Sequence, residues 1–139
     1  MSLPPFVVGQ KWSVKTNVPS TLSVVVGRIE TLPGDYRVVH VSLCDVAIPP
    51  GMPGAGGVLD FGHMPVEEAA LAASVDTLVA TGVAPARYFE DGYEEWRASG
   101  SLSAFTCSVQ EAITFAFQTL RGGGWTAPQH PELQSLTRH

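Results

Sequence analysis

The sequence predicts an α+β domain: a curved antiparallel sheet, built like an SH3-like half-barrel and packed by about three helices. Three observations carry that prediction. Residues 10–48 hold three successive stretches with strand character, Gln10–Thr16, Thr21–Thr31 and Tyr36–Ile48. Two of these lose their alternation in mid-strand, and a break in parity is the mark of a bulge that bends a sheet. Beyond Ile48 the pattern turns largely helical, and those helices are the natural cover for the apolar face of the meander.

The first strand sets Trp12 and Val14 on one face and Lys11, Ser13 and Lys15 on the other, the period-2 pattern of a half-buried strand. Asn17-Val18-Pro19-Ser20 then turns the chain. In the second strand Leu22, Val24 and Val26 share a face, whereas Ile29 has the opposite parity. A bulge at Gly27 would return Ile29 to the core side. Leu32-Pro33-Gly34-Asp35 supplies a hairpin turn, with Pro33 presetting φ and Gly34 taking the positive φ. The third strand points Val39, Val41 and Leu43 inward and His40, Ser42 and Cys44 outward. Its parity shifts before Val46 and Ile48.

Pro-Pro-Gly-Met-Pro-Gly-Ala-Gly-Gly at residues 49–57 is a surface loop. Its glycines match neither a dinucleotide fingerprint nor a phosphate-binding loop. Val58–Phe61 forms a short strand. His63-Met64-Pro65 opens a helix with Pro65 in its first turn and Met64, Leu71, Val75, Leu78 and Val79 as the buried stripe, stopped by Gly82. A second helix runs over Arg87–Ser99 with Phe89, Tyr93 and Trp96 on one face, although Gly92 weakens it. Leu102–Cys107 reads as a further strand pairing with the meander. Ser108-Val109-Gln110-Glu111 is a capping box that starts a third helix, which buries Val109, Ile113, Ala116, Phe117 and Leu120 and turns Phe115 outward. Residues 1–121 form one domain, and 122–139, opening on Gly122-Gly123-Gly124, a loosely ordered tail.

Composition narrows the function. Thirteen acidic against eight basic residues give a net charge of −5, with no basic stripe for nucleic acid. Two cysteines are too few for a disulfide framework and point to a reducing compartment. Residues 1–5 lack the basic and apolar regions of a signal peptide, and no apolar run suits a membrane span. A cytoplasmic protein without membrane or nucleic-acid partners is the expectation.

The chemical candidates are few. His40 and Cys44 share a strand face but stand roughly 13 Å apart along it, too far for one zinc ion. His63 with Asp60 is two ligands at most, so no metal and no cofactor is expected. Cys107 precedes the start of a helix, which can lower a thiol pKa, and His40 or His63 could act as its base if the fold brings one close. Cys107, His63 and His40 are therefore the catalytic candidates of a small thiol enzyme or hydrolase. Glu90, Asp91, Glu94 and Glu95 crowd the second helix. Their like-charge pairs at i, i+4 are offset only in part by Arg87 toward Asp91 and Glu94 toward Arg97. These four acids and Phe115 are the binding candidates.

Gly9-Gln10-x-Trp12-x-x-Lys15-Thr16, His63-Met64-Pro65, Gly92-Tyr93-x-x-Trp96 and Phe105-Thr106-x-Ser108-Val109-x-Glu111-Ala112, in that order and spacing, resemble a family of small uncharacterised bacterial proteins. The resemblance covers about residues 6–117. It implies a bacterial, stand-alone domain and carries no activity or site residue. The acidic composition and the absence of a convergent nucleophile–base motif favour a non-catalytic binding protein, such as an immunity or regulatory factor, over the thiol enzyme. A protein partner or a second copy of the chain would be its ligand.

Overall fold

The computed structural model describes residues 6–16, 20–100 and 102–122, with backbone alone for 119–122. Within them lies an open five-stranded antiparallel sheet: β1 (Lys11–Val14), β2 (Ser23–Leu32), β3 (Tyr36–Ala47), β4 (Val58–Glu67) and β5 (Val75–Ala80), in the order β4-β3-β2-β1-β5. Three helices pack on it: α1 (Glu68–Ser74), α2 (Phe89–Ala98) and α3 (Val109–Gly122). The Asn17–Pro19 turn and the tail from Gly123 onward lie outside the described residues.

The expected bulges bend the sheet. Val26 pairs with Val41 but Arg28 with His40, so Gly27 is the inserted residue, and Ile29 returns to the core side. Around Asp45, at φ 57°, the β3–β4 register slips again. A third slip separates the Val41–Met64 pair from the Leu43–Phe61 pair. At the β2–β3 turn Gly34 and Asp35 both take positive φ, so the chain reverses over Pro33–Asp35 with Leu32 paired to Tyr36.

One face of the sheet carries the main apolar core. Val24, Val26, Val39, Val41, Leu43, Phe61, Met64 and Val66 meet Leu71 of α1 and Val109, Ala112, Ala116 and Phe117 of α3 there. The capping box holds α3. Ser108 Oγ accepts from the Glu111 amide at 3.1 Å, and Glu111 Oε1 accepts from the Ser108 amide at 3.3 Å.

Two sequence expectations need correction. The helix expected from Met64 to Gly82 is split: Met64 and Pro65 belong to β4, α1 stops at Ser74, and 75–80 is strand. The open edge of β1 needed backbone partners, and β-branched Val75, Thr77 and Val79 supply them better as strand than as helix. Val75 is buried, while Leu78 and Val79 face outward on the sheet's edge. Ser74 marks the break: its hydroxyl bonds back to the Ala70 carbonyl and accepts the Val109 amide, and its carbonyl takes the Lys15 amide. Pro65 is tolerated because β4 is an edge strand.

The strand expected at Leu102–Cys107 reduces to one parallel bridge, Val66 to Phe105. This segment wraps the β4 edge. Leu102 and Ala104 pack on one side of the sheet and Phe105 and Cys107 on the other, while among the described residues backbone pairing with β4 is confined to Phe105, which bonds Pro65 and Glu67.

Candidate functional site

The opposite face of the sheet is also covered, by α2. Phe89, Tyr93 and Trp96 are buried as their spacing predicts, and Trp96 donates its indole N–H to the Ser103 carbonyl at 2.8 Å. Glycines let the helix approach. A Cβ on Gly92 would stand 2.7 Å from the Cβ of His63, and one on Gly27 would stand 2.3 Å from the Phe89 ring. Gly92 therefore serves packing, which outweighs the helix propensity it forgoes. The approach to α2 crosses Gly62, where a Cβ would meet the Arg87 carbonyl at 2.8 Å. Ser42 fixes this crossing, since its hydroxyl accepts the Ala86 amide and donates to the Gly62 carbonyl, both at 2.8 Å.

Beneath α2 lies a chain of three titratable side chains. His40 Nδ1 and His63 Nε2 are 2.8 Å apart, and His40 Nε2 lies 2.7 Å from Glu30 Oε1. Both rings are fully buried. The carboxylate can only accept, so His40 donates from Nε2; neutral His40 then accepts at Nδ1, and His63 donates from Nε2. The hydrogen bonds thus run one way, His63 to His40 to Glu30. Aromatic edges from α2 enclose the rings: Trp96 and Tyr93 stand 4.6 and 4.9 Å from His40, and Phe89 5.6 Å from His63.

The Gly27 bulge aims this chain. By resetting parity it turns Arg28 and Glu30 to the same face as His40. Glu30 is the polar rim of the cluster, with Arg97 Nη1 at 3.5 Å. The Arg28 guanidinium sits 4.2 Å over the Tyr93 ring, a cation–π contact. Burial pushes the His40 pKa down to about 4, the adjacent His63 adding to the shift against the pull of Glu30. Burial likewise takes His63 down to about 3. Both imidazoles are neutral at physiological pH. The Tyr93 hydroxyl is raised by burial and then by Glu30.

The two candidate histidines stand side by side, and His63 is a buried residue of β4 where the start of a helix was expected. Cys107 does not join them. It packs against the core on the α1–α3 side, and burial raises its thiol pKa, as burial and Asp60 raise that of Cys44. Asp60 accepts the Asp45 amide instead of approaching His63. Glu90, Asp91, Glu94 and Glu95 are all exposed. The arginines expected to offset them are turned elsewhere, Arg97 to Glu30 and Arg87 over the Tyr88 ring. Phe115 is exposed on α3, beside a shallow depression lined with Gln110, Glu111, Thr114 and Gln118. Among the described residues no group of three His, Cys, Asp or Glu side chains is placed to hold a metal ion, and no helix is long and apolar enough to cross a membrane.

Sequence reasoning missed Glu30, Arg28 and the contact between the histidines. The signal was present in the Gly27 bulge: once parity resets, Glu30 and His40 must share a face. Comparison with family models, with curated proteins and with solved structures returns no match.

Proposed function

We propose that the chain is a non-catalytic binding protein whose α2 presents an acidic surface to a cationic protein partner. The observation behind this reading is the division within one helix. Phe89, Tyr93 and Trp96 anchor α2 in the sheet, so Glu90, Asp91, Glu94 and Glu95 project from a fixed support. Like charges at i, i+4 cost a helix a few tenths of a kcal/mol per pair, roughly, and the field they create steers a positive partner at long range. A small acidic domain of this kind fits an immunity or regulatory factor that masks a basic surface. A bacterial, cytoplasmic setting, as the motif resemblance implies, belongs to the same proposal.

The alternative, a thiol enzyme using Cys107, gains no support from the geometry. Its thiol has a raised pKa, and the imidazoles lie across the sheet.

A lysine- and arginine-rich peptide is a direct probe. Titrated into the labelled protein at low salt, it should shift the amides of α2 most strongly. The shifts should fade at high salt and vanish in the double variant Glu90→Lys, Glu94→Lys. Shifts spread evenly over Asp35, Asp76 and Glu111 as well would mean attraction to net charge alone and would remove the assignment to α2.

A further inference from the structure

We propose that α2 is an acid-released cover, held down by the neutral His40–His63 pair, so that acidification lifts this helix from the β3–β4 face before the rest of the sheet opens.

The geometry leaves the pair room for one proton and none for a second. The bond between the rings needs one acceptor, and in the neutral pair that is His40 Nδ1, because His40 Nε2 donates to Glu30. A single proton on His40 reverses the bond: His40 Nδ1 then donates, and His63 must take its Nδ1–H tautomer to accept at Nε2. A proton on both rings places two cations in contact inside an apolar sleeve of Phe89, Tyr93 and Trp96. Burying an unpaired charge is among the most costly changes a protein interior can suffer.

The groups facing the pair do not relieve this. From β2 come Glu30, already bonded to His40, and Arg28, held over Tyr93. From α2 come Tyr93, Arg97, which approaches Glu30, and Glu90, which acts on His63 from an exposed position. One carboxylate on the far side of His40 can offset a single added charge. Two added charges exceed it. Water would solvate the second charge, and with α2 seated both rings are fully buried from it.

The direction follows from linkage. With α2 seated, the histidines titrate at about 4 and about 3; once lifted, they regain the ordinary value of 6.5. Above pH 7 neither state binds the extra protons, and α2 stays seated. As pH falls below 6.5 the lifted state takes up protons that the seated state refuses, so the lifted population grows. At pH 5 the gain is roughly 30-fold for one proton that the seated pair refuses and the lifted state binds.

α2 is positioned to move alone. It is a ten-residue helix held by side chains and one crossing segment, whereas β2, β3 and β4 share long ladders. Hydrogen exchange, corrected for the intrinsic effect of pH, reads this directly. From pH 8 to pH 5 the protection of the amides of Tyr93 to Arg97 should drop at least tenfold, roughly, while Val39 and Val41 in β3 hold theirs. The double variant His40→Phe, His63→Leu replaces the pair with apolar side chains and should abolish the drop. Protection of α2 that is level across this range in the wild-type protein would overturn the proposal. So would a loss shared equally by α2 and β3, which would be global unfolding. The wild-type profile decides the matter even if the double variant does not fold.

Discussion

The two faces of the sheet solve the same burial problem with different chemistry. On the α1–α3 side, Val24, Val41, Leu43, Phe61 and Met64 form a layer with no titratable side chain among them. On the α2 side the corresponding layer is Val38, His40, Ser42 and His63, every one fully buried and three of them polar. The apolar face draws its stability from buried area. The other face draws part of its stability from a buried hydrogen-bonded pair whose members can change charge. Burial alone therefore says little about how a surface will respond to its surroundings; what matters is whether the buried groups can change charge.

Mutations on the two faces should separate these modes. The largest effect belongs to the apolar side. Phe61 is fully buried against Phe117, with ring centroids 5.7 Å apart. Phe61→Ala should cost about 4 kcal/mol in denaturant unfolding, to the same extent at pH 8 and pH 6. An effect under about 1 kcal/mol would show that α3 is not part of a close-packed core.

The intermediate effect lies beneath α2. Gly92→Ala gains about 1 kcal/mol of helix propensity. It nevertheless sets a methyl 2.7 Å from the Cβ of His63, a backbone-near atom that cannot swing aside. Net destabilisation of about 2 kcal/mol is expected, with loss of near-ultraviolet signal from the aromatic cluster. A stabilised Gly92→Ala would mean that α2 sits farther from the sheet.

How much of this was legible in the sequence depended on how local the cause was. The Gly27 bulge, the Pro33–Asp35 turn, the Phe89–Tyr93–Trp96 stripe and the Ser108–Glu111 cap each arise within a few residues, and each was readable from spacing and residue type. Residues 75–80 were not. Their apolar spacing suits a helix as well as a strand, and the choice was made by the unfilled edge of β1, more than sixty residues away in sequence. The Glu30–His40–His63 chain was hidden for a related reason. It joins three strands, and its register rests on two bulges whose joint effect no single window contains.

The smallest effect tests one of the legible elements. Ser108→Ala removes the hydroxyl that accepts the Glu111 amide. It should cost about 1 kcal/mol, and Ser108→Asp should restore most of it. Equal losses in both variants would assign the role of Ser108 to something other than capping.

At neutral pH His40 and His63 are both uncharged and linked in one direction toward Glu30. Long-range nitrogen–proton spectra of the imidazole rings, recorded from pH 8 down to pH 5, test it without any substitution. Both rings should show the tautomer protonated at Nε2, and both should remain neutral in the seated state at pH 6, well above values of about 4 and about 3. A ring protonated at Nδ1, or either histidine of the folded protein titrating with a midpoint near 6.5, would contradict the account.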